Sequence, residues 1–205
     1  MRIILTFDDG YEEDFTTTYP FLKSKGIRAT SYLITNDIGK KGYLSWDQVR
    51  TMAEDGWDFQ CHTFTHQNLK SLSDKEIERE LKLSENEFIK HSLPVPEHMA
   101  HPYGKRSDRT RSAVSKRRKS ARGGVRGKGG DYDIMSYGLH GDYDIFEVKN
   151  NPLFIHTHDV SDNHRGFGVS VDYFKFIIEK LLKENATFFT VKKYYESNNN
   201  GSGFC

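Results

Sequence analysis

The 205-residue chain is 36% hydrophobic and 13% aromatic, which is material for one domain with a real core but short for two. Its net charge of +1 conceals a segment from Lys105 to Lys128 with eleven Lys or Arg against one acid, Asp108, so that segment carries +10 and the remainder −9. Cys61 in a predicted core strand and Cys205 at the last position argue against a disulfide framework. No stretch approaches the roughly eighteen apolar residues of a membrane helix.

Short β-rich runs alternate with helical patterns, which predicts an α/β fold with largely parallel strands. The first strand is read over Arg2–Phe7 and runs into Asp8, Asp9 and Gly10; the second spans Ala29–Ile34. Ser45 caps a helix in "SWDQVRTMAEDG" that Gly56 stops. A third strand, Trp57–Cys61, leads into "CHTFTH". Ser73 opens the next helix through the capping box "SDKE", in which Ser73 and Glu76 bond each other's backbone. Strands follow at His98–His101, Ser120–Val125 and Pro152–His158. The helix in "SVDYFKFIIEKLLKEN" lines up Phe174, Ile177, Ile178, Leu181 and Leu182 as a core face. A strand at Thr187–Val191 ends the pattern, and the polar tail "SNNNGSGFC" is expected to be flexible. The domain is therefore expected over 1–196, with 197–205 as a tail. No charged leader precedes an apolar run, so the expected location is the cytoplasm, or the cell exterior if the chain belongs to a longer protein.

The unusual polar residues all follow strands: Asp8 and Asp9 the first, His62 and His66 the third, "HPYG" the fourth, His158 and Asp159 the sixth. In parallel α/β folds and closed β/α barrels, the carboxyl edge is where distant segments converge on one site. Two imidazoles four positions apart plus a carboxylate make a three-ligand metal set with an open position. Zn²⁺ and Fe(II) both accept it. A second carboxylate left free can deprotonate an attacking water, which is what hydrolysis needs and an oxygenase does not.

"TFDDG", "HTFTH", "HPYG" and "THD", in this order, resemble the motifs of the polysaccharide deacetylases of carbohydrate esterase family four, the NodB-homology domain, over Arg2 to about Tyr195. The resemblance implies a distorted (β/α) barrel of about seven parallel strands. It implies Asp8 as general base and Asp9, His62 and His66 as ligands of one divalent ion, zinc first, with cobalt, nickel, manganese or iron as alternatives. His158 would protonate the leaving amine, and the backbone N–H of Tyr103 would serve the oxyanion. The expected substrate is a glycan with an N-acetylated amino sugar, in an oligo- or polysaccharide or on a lipid, with acetate released. The alternatives are another linear or cyclic amide, or a glycan-binding member without turnover. Oligomeric state is left open.

Three departures from the family pattern matter. The usual arginine before Pro-Tyr is absent, since "MAHPYG" has Ala100 and His101 there and is similar to a subset with "AYPYG"-like third motifs. The tryptophan motif is missing, its nearest text being "GDYDIF". Arg122, in "SARGG", is expected to supply the missing cation beside Asp8, the alternative being a surface charge. His156 lies two residues before His158 and so on the same face, where the family carries an aliphatic residue lining the acetyl pocket. It is read as a polar pocket wall or as a hydrogen-bonded supporting group. Thr63 either fixes the turn or merely leaves the strand, and His140 and His164 are read as solvated. The basic segment suits a solvated helix face, an anionic glycan or nucleic acid, although it lacks interleaved aromatics for base stacking.

Overall fold

Ile3, Leu5 and Phe7 of the first strand are fully buried, and so are Ile4 and Thr6 between them, a pattern that requires cover on both faces of a sheet. In the computed structural model, which describes residues 1–124, 129–141 and 144–199, that strand is central. The strands are β1 (Arg2–Asp9), β2 (Thr30–Leu33), β3 (Asp58–Cys61), β4 (His98–Ala100), β5 (Ser120–Arg122), β6 (Tyr137–Gly138), β7 (Leu153–Thr157) and β8 (Thr187–Phe189). The helices are α1 (Tyr19–Ser24), α2 (Trp46–Glu54), α3 (Asp74–Lys90), α4 (Asp108–Ser115), α5 (Val171–Lys183) and α6 (Val191–Asn199).

Seven strands form one curled parallel row in the order β5-β4-β3-β2-β1-β7-β6, a distorted α/β barrel. β8 pairs with Arg2–Ile4 of β1, below the stretch Thr6–Asp9 that β2 occupies. β5 and β6 end the row, and the parallel bridge Arg122–Ile134 joins β5 to the segment ahead of β6. Alternation along β1 sends Ile3, Leu5 and Phe7 toward the helices, where Phe7 stacks on Trp57 at 5.5 Å and meets Phe174 at 5.9 Å. Ile4, Thr6 and Asp8 therefore face inward, and Asp8 stands at the top of the barrel interior.

α6 covers the other end of the barrel, with Val191 packing on Ile4, Tyr32 and Phe154. Asp58 anchors it. Its carboxylate accepts from Lys192 N at 3.1 Å, Thr30 Oγ1 at 3.0 Å and Gln60 Nε2 at 2.6 Å, while Thr30 Oγ1 accepts from Val191 N at 2.9 Å. Burial raises the Asp58 pKa and these donors oppose the rise. Asp58→Ala strands several buried donors at about 1–3 kcal/mol each. The expected outcome is a loss of about 3 kcal/mol, read as a fall in Tm of about 6–12 °C.

Ser45 and Ser73 cap their helices as expected, Ser73 through its box with Glu76 and Ser45 through a further box with Gln48, and Ser107 with Thr110 forms another before α4. Some expectations differ from the structure. β6 has only two residues and no apolar run to announce it; its pairing with Ile155 and His156 makes it a strand. β5 stops at Arg122, and Val125 lies outside the described residues. The last strand ends at Phe189 because Val191 begins α6, whose first N–H groups Thr30 and Asp58 cap. α6 runs through Asn199, into the stretch expected to be a flexible tail, and residues 200–205 lie outside the described residues.

The basic segment is not a free cationic face. Of its nine described cations, seven pair with acids: Arg106 and Arg111 with Asp133, Arg109 with Asp74, Arg117 and Arg118 with Glu85, Lys119 with Glu97, Arg122 with Asp8. Its charge is spent on joining α4 and β5 to α3 and to the site. No helix among the described residues is long and apolar enough to cross a membrane.

Candidate functional site

The ends of β1 and β3, which flank β2 in the sheet, deliver the nitrogen and oxygen donors. Asp9 leaves β1 with φ +78°, and after β3 the chain passes His62, then Thr63 at φ +68° and His66 at φ +60°. Such conformations are strained for non-glycine residues and persist where surroundings hold them. Here they are held. Thr63 Oγ1 accepts from His66 N at 3.0 Å, which favours the turn-fixing reading of Thr63. Glu80 of α3 accepts from Phe64 N at 3.1 Å, Thr65 N at 2.8 Å and Thr65 Oγ1 at 2.8 Å.

His62 Nδ1 donates to the Ala100 carbonyl at 2.8 Å, which places its lone pair on Nε2. That nitrogen is 3.4 Å from Asp9 Oδ1, and His66 Nε2 is 3.6 Å from the same oxygen. The three donor atoms lie within 4.8 Å of one another. Asp9 Oδ1 is buried with no hydrogen-bond partner. Burial, reinforced by His62, lowers the His66 pKa to about 4, so its ring is neutral at pH 7. A carboxylate oxygen facing two imidazole nitrogens is repulsive without a cation, and the donor set fits one divalent ion with an open position. Glu80→Ala is expected to weaken zinc binding by about 10–100-fold, the usual effect of removing a group that orients ligands. Calorimetric titration of metal-free protein measures it.

Asp8, beside Asp9 in sequence, has a different environment. The Arg122 guanidinium forms an ion pair with its carboxylate, and only 4% of the arginine side chain is exposed. Arg122 NH1 also donates to Ser136 Oγ at 2.9 Å and to the Gly123 carbonyl at 3.1 Å, and the guanidinium lies 5.2 Å over the Tyr32 ring. Arg122 is thus an interior group, not a surface charge. Burial pushes the Asp8 carboxyl up, but Arg122, with His62, His158 and His156 behind it, outweighs burial and holds it well below the usual carboxylate range.

These groups open onto a cavity of about 600 Å³ that His101, Tyr103, His140, His156, His158 and Phe167 also line. Tyr103 has φ +58° and sits 64% exposed at the mouth, its ring 4.6 Å from His66. Phe167, 61% exposed, also lines the cavity and packs 5.4 Å from His158 and 5.2 Å from His140. His164 is exposed, but His140 is not a solvated loop residue as expected; it stands in the cavity wall. The seven residues given catalytic or metal-ligand roles from the sequence, Asp8, Asp9, His62, His66, Tyr103, Arg122 and His158, all line this one cavity.

Glu80, Ser136 and Phe167 were not legible as site residues. Glu80 carried a signal, a carboxylate on the apolar face of α3 with Ile77, Leu81 and Ser84. Asp159 of "THD" is fully buried and holds Arg165 through Oδ2 at 3.1 Å, which sets the guanidinium 4.0 Å from the Tyr11 ring at the cavity edge.

A family model described as polysaccharide deacetylase matches residues 1–118. YxkH, a candidate polysaccharide deacetylase of Bacillus subtilis, is 31% identical over 118 residues, covering 56% of this chain and 41% of its own. A poly-beta-1,6-N-acetyl-D-glucosamine N-deacetylase of Staphylococcus aureus is 29% identical over 118 residues, covering 51% of this chain and 41% of its own. The match thus spans about two fifths of these relatives' length. Among solved structures, a family 4 acetyl xylan esterase from Clostridium thermocellum, in complex with a cobalt ion, superposes with a TM-score of 0.73 at 16% identity over 97% of this chain and 92% of that one. That likeness concerns the fold.

Proposed function

Because the chain belongs to the polysaccharide deacetylase family, we propose that it hydrolyses N-acetyl groups on an amino sugar within an oligo- or polysaccharide, releasing acetate and a free amine. One observation carries the reading: two adjacent carboxylates with opposite partners, Asp9 facing His62 and His66, and Asp8 paired with Arg122. Such a division separates a metal ligand from a base.

A divalent ion at Asp9, His62 and His66 supplies Lewis acidity toward the amide carbonyl and toward an attacking water. Zinc is the ion proposed, with cobalt, nickel, manganese and iron as alternatives. Asp8, held ionised and aimed by Arg122, takes the proton of the attacking water. The Tyr103 N–H donates to the carbonyl oxygen as negative charge gathers there. His158 gives a proton to the departing nitrogen. The proton count closes: one proton moves to Asp8, one leaves His158, and solvent exchange resets both groups. Tyr103 and Phe167 offer apolar ring faces to the sugar at the mouth.

The test is acetate release from β-1,4- and β-1,6-linked N-acetylglucosamine oligomers by protein stripped with chelator and reloaded with each ion. Release that depends on reloading is expected, with zinc among the active ions. Metal binding without acetate release from any N-acetylated glycan would leave a glycan-binding member or an enzyme for another amide.

A further inference from the structure

One wall of the cavity is built from imidazoles. His140, His156 and His158 stand with ring centres 5.8, 6.0 and 6.1 Å apart. His158 has its assigned task; the other two have none. His156 lies two residues before His158 on β7, about 7 Å deeper along the strand, in register with Thr6 of β1 and Gly138 of β6. The deep end and the mouth differ in what they can admit. A sugar chain needs the open side, where Tyr103 and Phe167 are exposed. The one part of an N-acylated sugar that is short and has no continuation is the acyl substituent, so the inner end beside His156 is its place.

The hydrogen bonds fix which nitrogen of His156 faces that place with a lone pair. Ser136 Oγ is 2.7 Å from the Gly123 carbonyl, which can only accept, so the single hydroxyl proton goes there. The same oxygen accepts from Arg122 NH1 at 2.9 Å and lies 3.1 Å from His156 Nδ1. Nδ1 is therefore the donor, and Nε2 keeps an acceptor lone pair. Burial, together with nearby Arg122, holds the ring neutral by lowering its pKa well below the ordinary value. His140 stands beside it with Nδ1 buried without a partner, so that nitrogen is closed to a ligand in the cavity and His156 Nε2 is the acceptor on this wall. The His140 ring fits because residue 138 is glycine: a Cβ there would fall 2.5 Å from His140 Cε1. A methyl group meets nothing complementary at such a wall, whereas a hydroxyl donates to it.

We propose that the acyl pocket selects an N-acyl group ending in a hydrogen-bond donor, of which N-glycolyl is the simplest, and that His156 is the residue that determines this preference. The inference rests on the N-acyl amino-sugar reading above and refines its acyl group. Its probe is a glucosamine tetramer acylated in three ways: acetyl, glycolyl and propionyl. Glycolyl and propionyl differ only by hydroxyl against methyl, so size cancels.

The glycolyl tetramer is expected to exceed the propionyl one in kcat/KM by about tenfold or more. His156→Leu reverses that order, and His156→Gln, which keeps an acceptor, preserves it. Equal or better hydrolysis of the propionyl compound by the unmodified protein overturns the inference, as does an unchanged ratio in a folded His156→Leu. Should the leucine variant fail to fold, the ratio in the unmodified protein and the glutamine variant decides. Cleavage of acetyl without glycolyl preference sinks this inference alone; no cleavage of any of the three sinks the deacylase reading beneath it.

Discussion

Asp8→Asn is expected to keep its metal ion and lose about 10²–10⁴ in turnover, the range that a positioned general base contributes. The substitution preserves an oxygen for the Arg122 guanidinium, so the fold keeps most of its local support, but an amide cannot take a proton from water. Asp9→Asn has the opposite signature. Its oxygen is the one that His62 and His66 face at 3.4 and 3.6 Å, so ion content falls together with activity. Elemental analysis after gel filtration, run beside the acetate assay, separates the two. Should Asp8→Asn empty the site and Asp9→Asn retain the ion, the two carboxylates have exchanged roles.

Arg122→Ala is expected to lower turnover by about 10² and to shift the acidic limb of the rate profile to higher pH. With the guanidinium present, Asp8 is held well below the usual carboxylate range in spite of burial. Without it, the burial that pushes the carboxyl up loses its main opponent, so the base becomes protonated at pH values where it was ionised. The stability linkage has the same origin. A depressed carboxyl pKa contributes stability above the unfolded value, near 4, that is lost as pH falls through the folded one. The variant forfeits that contribution at neutral pH and melts earlier. Lys119→Ala removes a cation from the same basic run, but Lys119 is exposed and paired to Glu97 at 2.8 Å, so neither profile nor turnover moves. Equal behaviour of the two variants would mean that net charge, not position, is what counts.

The sequence was most readable where one residue type has one use. The Asp-Asp-Gly after an apolar strand and the two histidines four apart announce a strand-end site, and the cap at Ser45 and the box at Ser73 mark helix starts to the residue. The basic segment was harder because its partners are remote: Asp74, Glu85, Glu97 and Asp133 neutralise it from outside the run. β6 had no signal of its own, since two residues acquire strand geometry only from β7 beside them. Phe167 and His140 sit in loops, and only the folded chain places their rings against His158.

The incomplete closure of the barrel has a dynamic consequence. Between β5 and the segment before β6, the backbone is tied by Ala121 N to Asp131 O at 2.7 Å, Gly123 N to Ile134 O at 3.0 Å and Ile134 N to Ala121 O at 3.2 Å, whereas β1 is flanked by ladders along its length. Amide hydrogens of Gly123 and Ile134 should therefore exchange with solvent through small openings, at lower free energy than those of Ile4 or Leu5. Arg122 stands on one lip of that opening and Ser136 on the other, so each excursion releases the guanidinium from its anchor and leaves Asp8 without its partner. Heating should then abolish the proposed acetate release some degrees before the chain melts, with the loss reversible on cooling.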